Sequence, residues 1–139
     1  MTLFIADDNE RFRQTLASIL GGLPGIEIVG QAGHVQEAIS SINRIKPDTI
    51  ILDIHMPGGS GLDVLQAAQS VKPVPVVVML TVGPGSEYRE KSLALGANYF
   101  FEKSSDMKKM MATLTQLARR HKRELKNQHD HGDSLESLR

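Results

Sequence analysis

Acidic residues stand at the ends of two apolar segments of the sequence, where a strand would leave a hydrophobic core. The segment FIADD ends in the pair Asp7-Asp8, and the segment TIILD ends in Asp53. Two further apolar segments end at Thr81 and Lys103. Carboxylates gathered in one place repel each other and stay ionised only beside a compensating cation. Oxygen ligands without sulfur favour a hard divalent ion, Mg²⁺ before the transition metals.

The threonine and the lysine indicate phosphate chemistry at such a site. Lys103 adds a positive charge and Thr81 a hydroxyl donor, and both kinds of group stabilise a phosphoryl group in transfer. An aspartate can itself be the nucleophile and form an aspartyl phosphate. We expect Asp53 to be that nucleophile, because it stands alone between Asp7-Asp8 and the later polar strand ends. Each Asp taken singly is more typical of a helix cap or a loop, so the prediction depends on the combination.

Alternating strands and helices are predicted to position these residues. Apolar and β-branched runs predict strands at 2–6, 26–30, 49–52, 74–80 and 98–101. Helical spacing of apolar residues predicts helices at 9–20, 35–45, 60–69, 86–95 and from about residue 105. This order predicts an α/β fold, a doubly wound (βα)5 parallel sheet of the flavodoxin-like type. With strand order 2-1-3-4-5, Asp8 and Asp53 meet at the point where the order reverses, which is where ligands bind.

Length and composition limit the number of domains and the classes of protein and site that the chain can represent. The chain has 139 residues, the size of one domain, and its formal net charge is zero. It has no cysteine, which excludes disulfides, thiolate chemistry and Cys-based zinc sites. The apolar runs are too short to span a bilayer, and the first residues do not resemble a secretory signal, so we expect a cytoplasmic protein. We predict a domain over residues 1–126 and a disordered tail or linker over 127–139.

The motifs at the strand ends resemble the receiver domain of two-component response regulators, the CheY-like superfamily, over residues 1 to about 120. The resemblance rests on the acidic pair Asp7-Asp8, on DIHMPGGSG from Asp53 to Gly61, on Leu80-Thr81, and on GANYFFEK from Gly96 to Lys103. In addition, the segment GIEIVGQAGHVQEAI at 25–39 looks like the subfamily whose receivers precede a helix-turn-helix domain that binds DNA.

The resemblance implies a phosphoryl acceptor and a metal site. Asp53 is implied to accept a phosphoryl group from a sensor histidine kinase or a histidine phosphotransfer protein. The carboxylates of Asp8 and Asp53 and the backbone carbonyl of His55 are implied to ligate Mg²⁺, with Asp7 acting mainly through a bound water. Such a chain catalyses its own phosphorylation and dephosphorylation and has no separate turnover substrate.

The resemblance also implies a two-state switch. Thr81 and Lys103 would contact the phosphoryl oxygens, and Phe100 stands at the switch-aromatic position of the family. Movement of Thr81 toward the phosphoryl group would let Phe100 turn inward. That motion would change the surface formed by the fourth helix, the fifth strand and the fifth helix. A plain core aromatic is the alternative interpretation of Phe100.

Four positions matter against the usual family pattern, and at one of them Val82 is bulkier than the small residue that usually follows the switch threonine. Ser104 follows Lys103 where a proline, often with a cis peptide, is usual, and we expect a trans bond here because a cis bond to a non-proline residue is costly. His55 and Gly83 stand at positions that tune dephosphorylation in the family. Gly83 has no side chain to guide a water, so we expect the phosphoryl lifetime to depend on His55.

Several functions compete at this point. The first is a phosphorylation-activated switch that controls a partner protein or an output domain, and phosphorylation-linked homodimerisation is retained as an option. The second is a receiver fragment of a DNA-binding transcriptional regulator whose output domain is absent from this chain. The third is an interaction module that no longer depends on phosphorylation. An aspartyl phosphatase is disfavoured because Asp53-Ile54-His55 lacks the second carboxylate of a DxD motif. We expect no direct nucleic-acid or membrane binding.

Overall fold

Five strands and five helices alternate along the chain. The computed structural model describes the backbone of residues 1–83 and 86–137; the side chains of Ser86, the predicted first residue of the fourth helix, and of residues 129–137 lie outside that description. The elements are β1 Thr2–Ala6, α1 Glu10–Gly21, β2 Glu27–Ala32, α2 Val35–Ile45, β3 Thr49–Leu52, α3 Gly61–Ala68, β4 Val76–Thr81, α4 Ser86–Ala94, β5 Tyr99–Glu102 and α5 Met107–Ser137.

The strands form one parallel sheet in the order β2-β1-β3-β4-β5. This confirms the predicted flavodoxin-like fold and its strand order. Strand β3 has the bounds that its apolar run predicted, since every residue of it is buried. Strand β2 lies at the edge of the sheet and is only partly buried, so its apolar pattern is weaker and its observed bounds lie further along the chain than predicted.

Two hydrophobic clusters cover the two faces of the sheet, because successive side chains of a strand point to opposite faces. In β1, Leu3 and Ile5 join the cluster under α1 and α5, whereas Phe4 and Ala6 join the cluster under α2, α3 and α4. Helices on both faces explain why the central strands are continuous apolar runs. The sheet is therefore a rigid support for whatever follows its strands.

Main-chain hydrogen bonds continue the sheet one residue beyond the strands that carry the polar residues. Asp53 N donates to Ala6 O at 2.9 Å, and Lys103 N donates to Thr81 O at 2.7 Å. Asp7 N donates to Ala32 O at 3.0 Å. The backbone positions of the residues after β1, β3 and β5 are thus set by main-chain hydrogen bonds, independently of their side-chain contacts.

Side-chain caps set the starts of the helices next to this edge. The Asn9 side chain accepts a hydrogen bond from Phe12 N at 2.9 Å and begins α1. Ser60 and Asp63 form a capping box that begins α3. Caps of this kind satisfy backbone donors that have no partner inside the helix. Both helices therefore start immediately after the loops that carry the acidic residues.

Helix α5 runs further than the sequence predicted. The tail or linker expected from Asn127 continues as helix through Ser137, although this stretch, NQHDHGDSLES, is rich in Asn, His, Asp, Ser and Gly, which have low helix propensity. The domain boundary after Lys126 stays a prediction, and residues 138–139 lie outside the described part. The peptide bond between Lys103 and Ser104 is trans, as predicted; Lys72–Pro73 is the cis bond of the described residues.

Candidate functional site

Three carboxylates gather at the carboxyl edge of the sheet. Ligand atoms of Asp7, Asp8 and Asp53 all lie within 4.8 Å of one another. Asp7 and Asp53 are 3% and 4% exposed, whereas Asp8 faces solvent. The strand order predicted this meeting, because β1 and β3 are neighbours and both acidic segments directly follow them. The site is thus an acidic depression with two buried members and one open to solvent.

The ammonium group of Lys103 enters the same depression. Its Nζ lies 2.6 Å from Asp7 Oδ2 and 3.6 Å from Asp53 Oδ2. The Lys103 side chain is 13% exposed, so this contact is largely removed from water. One ammonium faces three carboxylates, so the site carries excess negative charge. A bound cation would offset that excess.

The surroundings of Asp53 make its charged form costly. Burial raises the pKa of Asp53, the nearby Asp7 carboxylate raises it further, and Lys103 and the His55 backbone N–H lower it, which together bring this pKa from 3.8 to about 6. The hydrogen bond from His55 N to Asp53 Oδ1 is long, at 3.3 Å. A buried carboxylate with so few donors retains free acceptor capacity toward a ligand.

Thr81 completes the row of strand-end residues. It is 1% exposed, and its Oγ1 has no hydrogen-bond partner within the part of the chain that the structure describes. A buried hydroxyl without a partner costs free energy, and such a group merits an explanation in ligand binding or conformational change. The structure thereby brings Asp7, Asp8, Asp53, Thr81 and Lys103 to one edge; their individual roles stay predictions.

Gly61 holds the main chain of the acceptor, and sequence reasoning did not single it out. Its N–H donates to Ile54 O at 2.6 Å. A Cβ at this position would overlap the carbonyl oxygen of Asp53. Only glycine allows so close an approach of α3 to the strand end. The GGSG segment after the acidic motif was the signal that could have identified it.

Two residues of α1 also contact the site without having been predicted. Arg13 Nη1 donates to the backbone carbonyl of Asp7 at 2.6 Å. The ring of Phe12 lies under Lys103, with Nζ 4.2 Å from the ring centroid. Both follow the acidic pair within one or two helical turns, but their direction toward the site depends on how α1 packs on the sheet.

Aromatic residues flank the acidic depression on the side of α4. The exposed His55 ring meets Tyr88 edge to face, with 5.5 Å between ring centroids. Phe100 is 6% exposed and packs within the cluster under α2, α3 and α4, with Arg89 Cζ 6.0 Å from its ring centroid. Burial of Phe100 is compatible with a switch residue and with a plain core aromatic, so both interpretations stay open.

The donor set fits a hard divalent cation. Its members are carboxylate oxygens, one of them exposed and two buried, and sulfur is absent from the site. Mg²⁺ prefers oxygen ligands and commonly uses one or two carboxylates together with waters. The excess negative charge and the raised pKa of Asp53 are the features that such an ion would relieve.

Comparison with known proteins agrees with this geometry. Residues 3–115 match the family model of the response regulator receiver domain. The chain is 37% identical over 113 residues to protein-glutamate methylesterase/protein-glutamine glutaminase 1 of Carboxydothermus hydrogenoformans. The matched segment covers 81% of this chain and 33% of that protein. The corresponding protein of Rhizobium etli is 34% identical over 68% of this chain and 28% of its own length. The chain thus spans about a third of these curated relatives or less.

Solved structures show the same fold. The response regulator domain of Thermotoga maritima CheB has a TM-score of 0.74 at 26% identity, covering 86% of this chain and 94% of that one. A DNA-binding response regulator of the LuxR family from Staphylococcus aureus has a TM-score of 0.76 at 25% identity, covering 84% and 98%. Among the described residues, no helix combines the length and the apolar character that crossing a membrane requires.

Proposed function

The chain belongs to the response regulator receiver domain family, and from this premise we propose that it is a phosphorylation-dependent switch whose phosphoryl acceptor is Asp53. One observation carries the proposal: Asp53 is a buried carboxylate, 4% exposed, that lies between other carboxylates and a lysine and has one long hydrogen bond. The free acceptor capacity of this carboxylate supports a role in accepting a phosphoryl group.

The proposed reaction is a transfer between a phosphohistidine and this aspartate. An Asp53 carboxylate oxygen attacks the phosphorus of a phosphohistidine on a kinase or phosphotransfer protein. An oxygen–phosphorus bond forms, the nitrogen–phosphorus bond breaks, and the released histidine nitrogen takes up a proton from solvent. Lys103, whose Nζ lies 3.6 Å from Asp53 Oδ2, would compensate the charge on the phosphoryl oxygens, and the unpartnered Thr81 hydroxyl would donate a hydrogen bond to one of them.

Mg²⁺ is the cofactor that these residues would hold. The Asp8 and Asp53 carboxylates and the His55 backbone carbonyl would be its ligands, with Asp7 acting through water. When bound, the ion offsets the charge of the carboxylates and of the phosphoryl group. Asp53 is the nucleophile only in its ionised form, which Lys103 and the His55 backbone N–H favour against the effect of burial.

Thr81 and Phe100 are the proposed links from the acceptor to the surface. The unpartnered Thr81 hydroxyl would donate to a phosphoryl oxygen, which removes the cost of its burial. Phe100 follows on the neighbouring strand, where Met79 pairs with it. A phosphoryl group would shift a two-state equilibrium of this region, since a ligand shifts populations by its differential affinity. The surface of α4, β5 and α5 is the proposed output.

A receiver within a longer protein is the second candidate for the chain. The curated relatives have two thirds or more of their length outside the matched segment. On that candidate, the switch controls an output domain in the same polypeptide. A DNA-binding domain of the LuxR kind and a methylesterase domain are the two outputs that the relatives suggest.

Labelling with acetyl phosphate tests the proposed function. Intact-mass measurement is expected to show one added phosphoryl group with Mg²⁺ and none with EDTA. Asp53→Asn is expected to abolish the labelling, and Asp48→Asn, a matched change at the other end of β3, to retain it. Labelling that persists in Asp53→Asn, or that is equal with Mg²⁺ and with EDTA, would overturn the assignment of the acceptor.

A further inference from the structure

The Lys103 ammonium group has three close neighbours among the described residues. Two are carboxylates, Asp7 and Asp53, at 2.6 and 3.6 Å. The third is the face of the Phe12 ring, whose centroid lies 4.2 Å from Nζ. We propose that Phe12 is a positioning residue: its ring holds Lys103 beside the acceptor while the ammonium exchanges a carboxylate partner for a phosphoryl oxygen. This inference rests on the proposed function.

The ring differs from the other two contacts because it carries no net charge. A divalent cation at the acidic depression would compete with Lys103 for the carboxylates of Asp7 and Asp53, and a phosphoryl group on Asp53 would attract the ammonium toward its own oxygens. The attraction between an ammonium and an aromatic face depends on the ring quadrupole and needs no carboxylate. The contact with Phe12 is therefore the one that persists when the site fills.

Lys103 needs such a contact because its side chain is long and flexible. A lysine loses rotamer entropy when it is fixed in one conformation. A side chain that is 13% exposed gains more from a cation–π contact than a fully solvated one, since less hydration competes. The ring offsets part of the entropy cost before the phosphoryl group arrives.

The position of the ring is itself tied to the acidic pair. Phe12 N donates to Asn9 Oδ1 at 2.9 Å, and Asn9 N donates to Asp7 Oδ1 at 2.9 Å. The half-buried ring packs against the hydrophobic cluster under α1 and α5. The carboxylate and the aromatic face that Lys103 contacts are therefore held by one hydrogen-bonded turn, in a fixed relation to each other.

A purely structural role for Phe12 makes a different prediction from a positioning role. If the ring only fills space, leucine replaces it with a small loss of stability and no specific effect on Lys103. If the aromatic face positions Lys103, Phe12→Leu impairs the reaction and Phe12→Tyr preserves it. Phe101→Leu is the matched control, because Phe101 is a half-buried phenylalanine of the same cluster whose ring stacks on Tyr99.

The experiment uses the full chain and measures two quantities for each variant. The first is the rate of acetyl phosphate labelling as a function of Mg²⁺ concentration. We expect Phe12→Leu to lower the maximal rate about fivefold, the factor for roughly 1 kcal/mol, with the half-saturating Mg²⁺ concentration unchanged. Phe12→Tyr and Phe101→Leu are expected to stay within about twofold of the original chain, on the same scale.

The second quantity is the proton chemical shift of the Lys103 ε-methylene in the metal-free protein, assigned by its loss in Lys103→Arg. An ammonium over a ring face places these protons in the upfield ring-current region. We expect Phe12→Leu to remove the upfield shift and Phe12→Tyr to keep it. This measurement reports the contact without any reaction.

The outcomes separate the two proposals. Labelling that is equally fast in Phe12→Leu and the original chain, or an ε-methylene without an upfield shift, overturns the positioning role and leaves the proposed function intact. Equal losses of rate in Phe12→Leu and Phe101→Leu also overturn it, because a general loss of packing then explains both. Absence of labelling in the original chain overturns the proposed function and the positioning role together.

Discussion

Strand β3 has an aspartate directly before it and another directly after it, and the two carboxylates differ in how fully they are satisfied. Asp48 Oδ2 accepts hydrogen bonds from Thr2 N at 2.8 Å and Thr2 Oγ1 at 3.0 Å, and it lies 3.5 Å from His121 Nε2. Asp53 is far more buried, yet among the described residues it accepts one hydrogen bond of 3.3 Å, lies 3.6 Å from Lys103 Nζ, and has the carboxylates of Asp7 and Asp8 beside it.

On the proposed function, this difference separates a structural aspartate, Asp48, from a functional one, Asp53. Asp48 ties the start of β1 to the start of β3 and to α5, so its acceptor capacity is used within the fold. The backbone N–H of Asp53 is bonded to Ala6 O, but the Asp53 side chain retains hydrogen-bond acceptor capacity that the described residues do not use. At the amino edge the Asp48 carboxylate thus has partners within the fold, whereas on the proposed function the free acceptor capacity of Asp53 at the carboxyl edge serves a ligand.

The largest expected effect comes from a substitution that displaces the backbone at the carboxyl edge of the sheet. In Gly61→Ala, the new methyl group meets the carbonyl of Asp53, so we expect a loss of about 3 kcal/mol in the free energy of unfolding and a loss of acetyl phosphate labelling. Urea denaturation and intact mass measure the two effects. Gly21→Ala is the control, because its Cβ makes an ordinary 3.5 Å contact; equal stability of both variants would contradict this account.

The second prediction concerns pH and the metal-free protein. The pKa of Asp53 is about 6 in the folded chain and about 3.9 in an unfolded one. The folded state therefore holds the extra proton between these values, and its stability falls as pH rises from about 4 to 6. The contribution is fully present below pH 4, and its loss is complete above about pH 7.

Asp53→Asn isolates this contribution. Relative to the original chain in EDTA, the variant is expected to gain little at pH 4 and up to about 3 kcal/mol at pH 7. Denaturant titrations at several pH values measure the difference. A stability difference that stays constant from pH 4 to 7 would be incompatible with a buried, partly protonated Asp53.

The third prediction tests the amino edge. Asp48→Ala leaves the Thr2 N–H and hydroxyl without their acceptor, so we expect a loss of about 2 kcal/mol in unfolding free energy. The labelling rate is expected to be unchanged, since no part of the acidic depression is touched. Thermal denaturation and acetyl phosphate labelling of the same sample measure both. A labelling defect in Asp48→Ala as large as that in Asp53→Asn would contradict the proposed difference between the two edges.

The smallest expected effect concerns the phosphoryl lifetime. The exposed His55 ring and Tyr88 lie at the margin of the site, where they would restrict access of water to an aspartyl phosphate. We expect His55→Ala to accelerate dephosphorylation by less than about tenfold, or about 1.4 kcal/mol in barrier, and Tyr88→Leu to act in the same direction. Decay of the phosphorylated mass reports the rate. His121→Ala is the control at the amino edge, and an unchanged rate in His55→Ala refutes the shielding role.

The fold was largely predictable because burial leaves a clear trace in the sequence. The run from Thr49 to Leu52 predicted β3 with its observed bounds, since both faces of this strand are covered. The order of apolar and amphipathic segments then predicted the sheet and the meeting of the acidic residues. The continuation of α5 beyond Lys126 was not predicted, because the residues from Asn127 onward show no apolar periodicity and include glycine and other weak helix formers.

Contacts that depend on tertiary packing were not predictable. Nothing in the spacing of α1 indicates that the Phe12 ring lies under Lys103, because these residues are distant in sequence and meet only through the packing of the helix on the sheet. The close approach of Gly61 to Asp53 likewise depends on where α3 begins. Motifs predicted the candidate reacting groups. The residues that we propose to position them could be found only from the structure.

The main-chain bonds that extend the sheet past its strands have a consequence for protein engineering. Asp53 and Lys103 are placed by their own backbone N–H groups, which bond to the carbonyls of Ala6 and Thr81. A side chain substituted at either position therefore starts from the same backbone position, because the main-chain bonds do not depend on the side chain. A designer can therefore vary the ligand chemistry of this edge, for instance toward imidazole ligands and a softer metal, while the scaffold keeps the new groups in register.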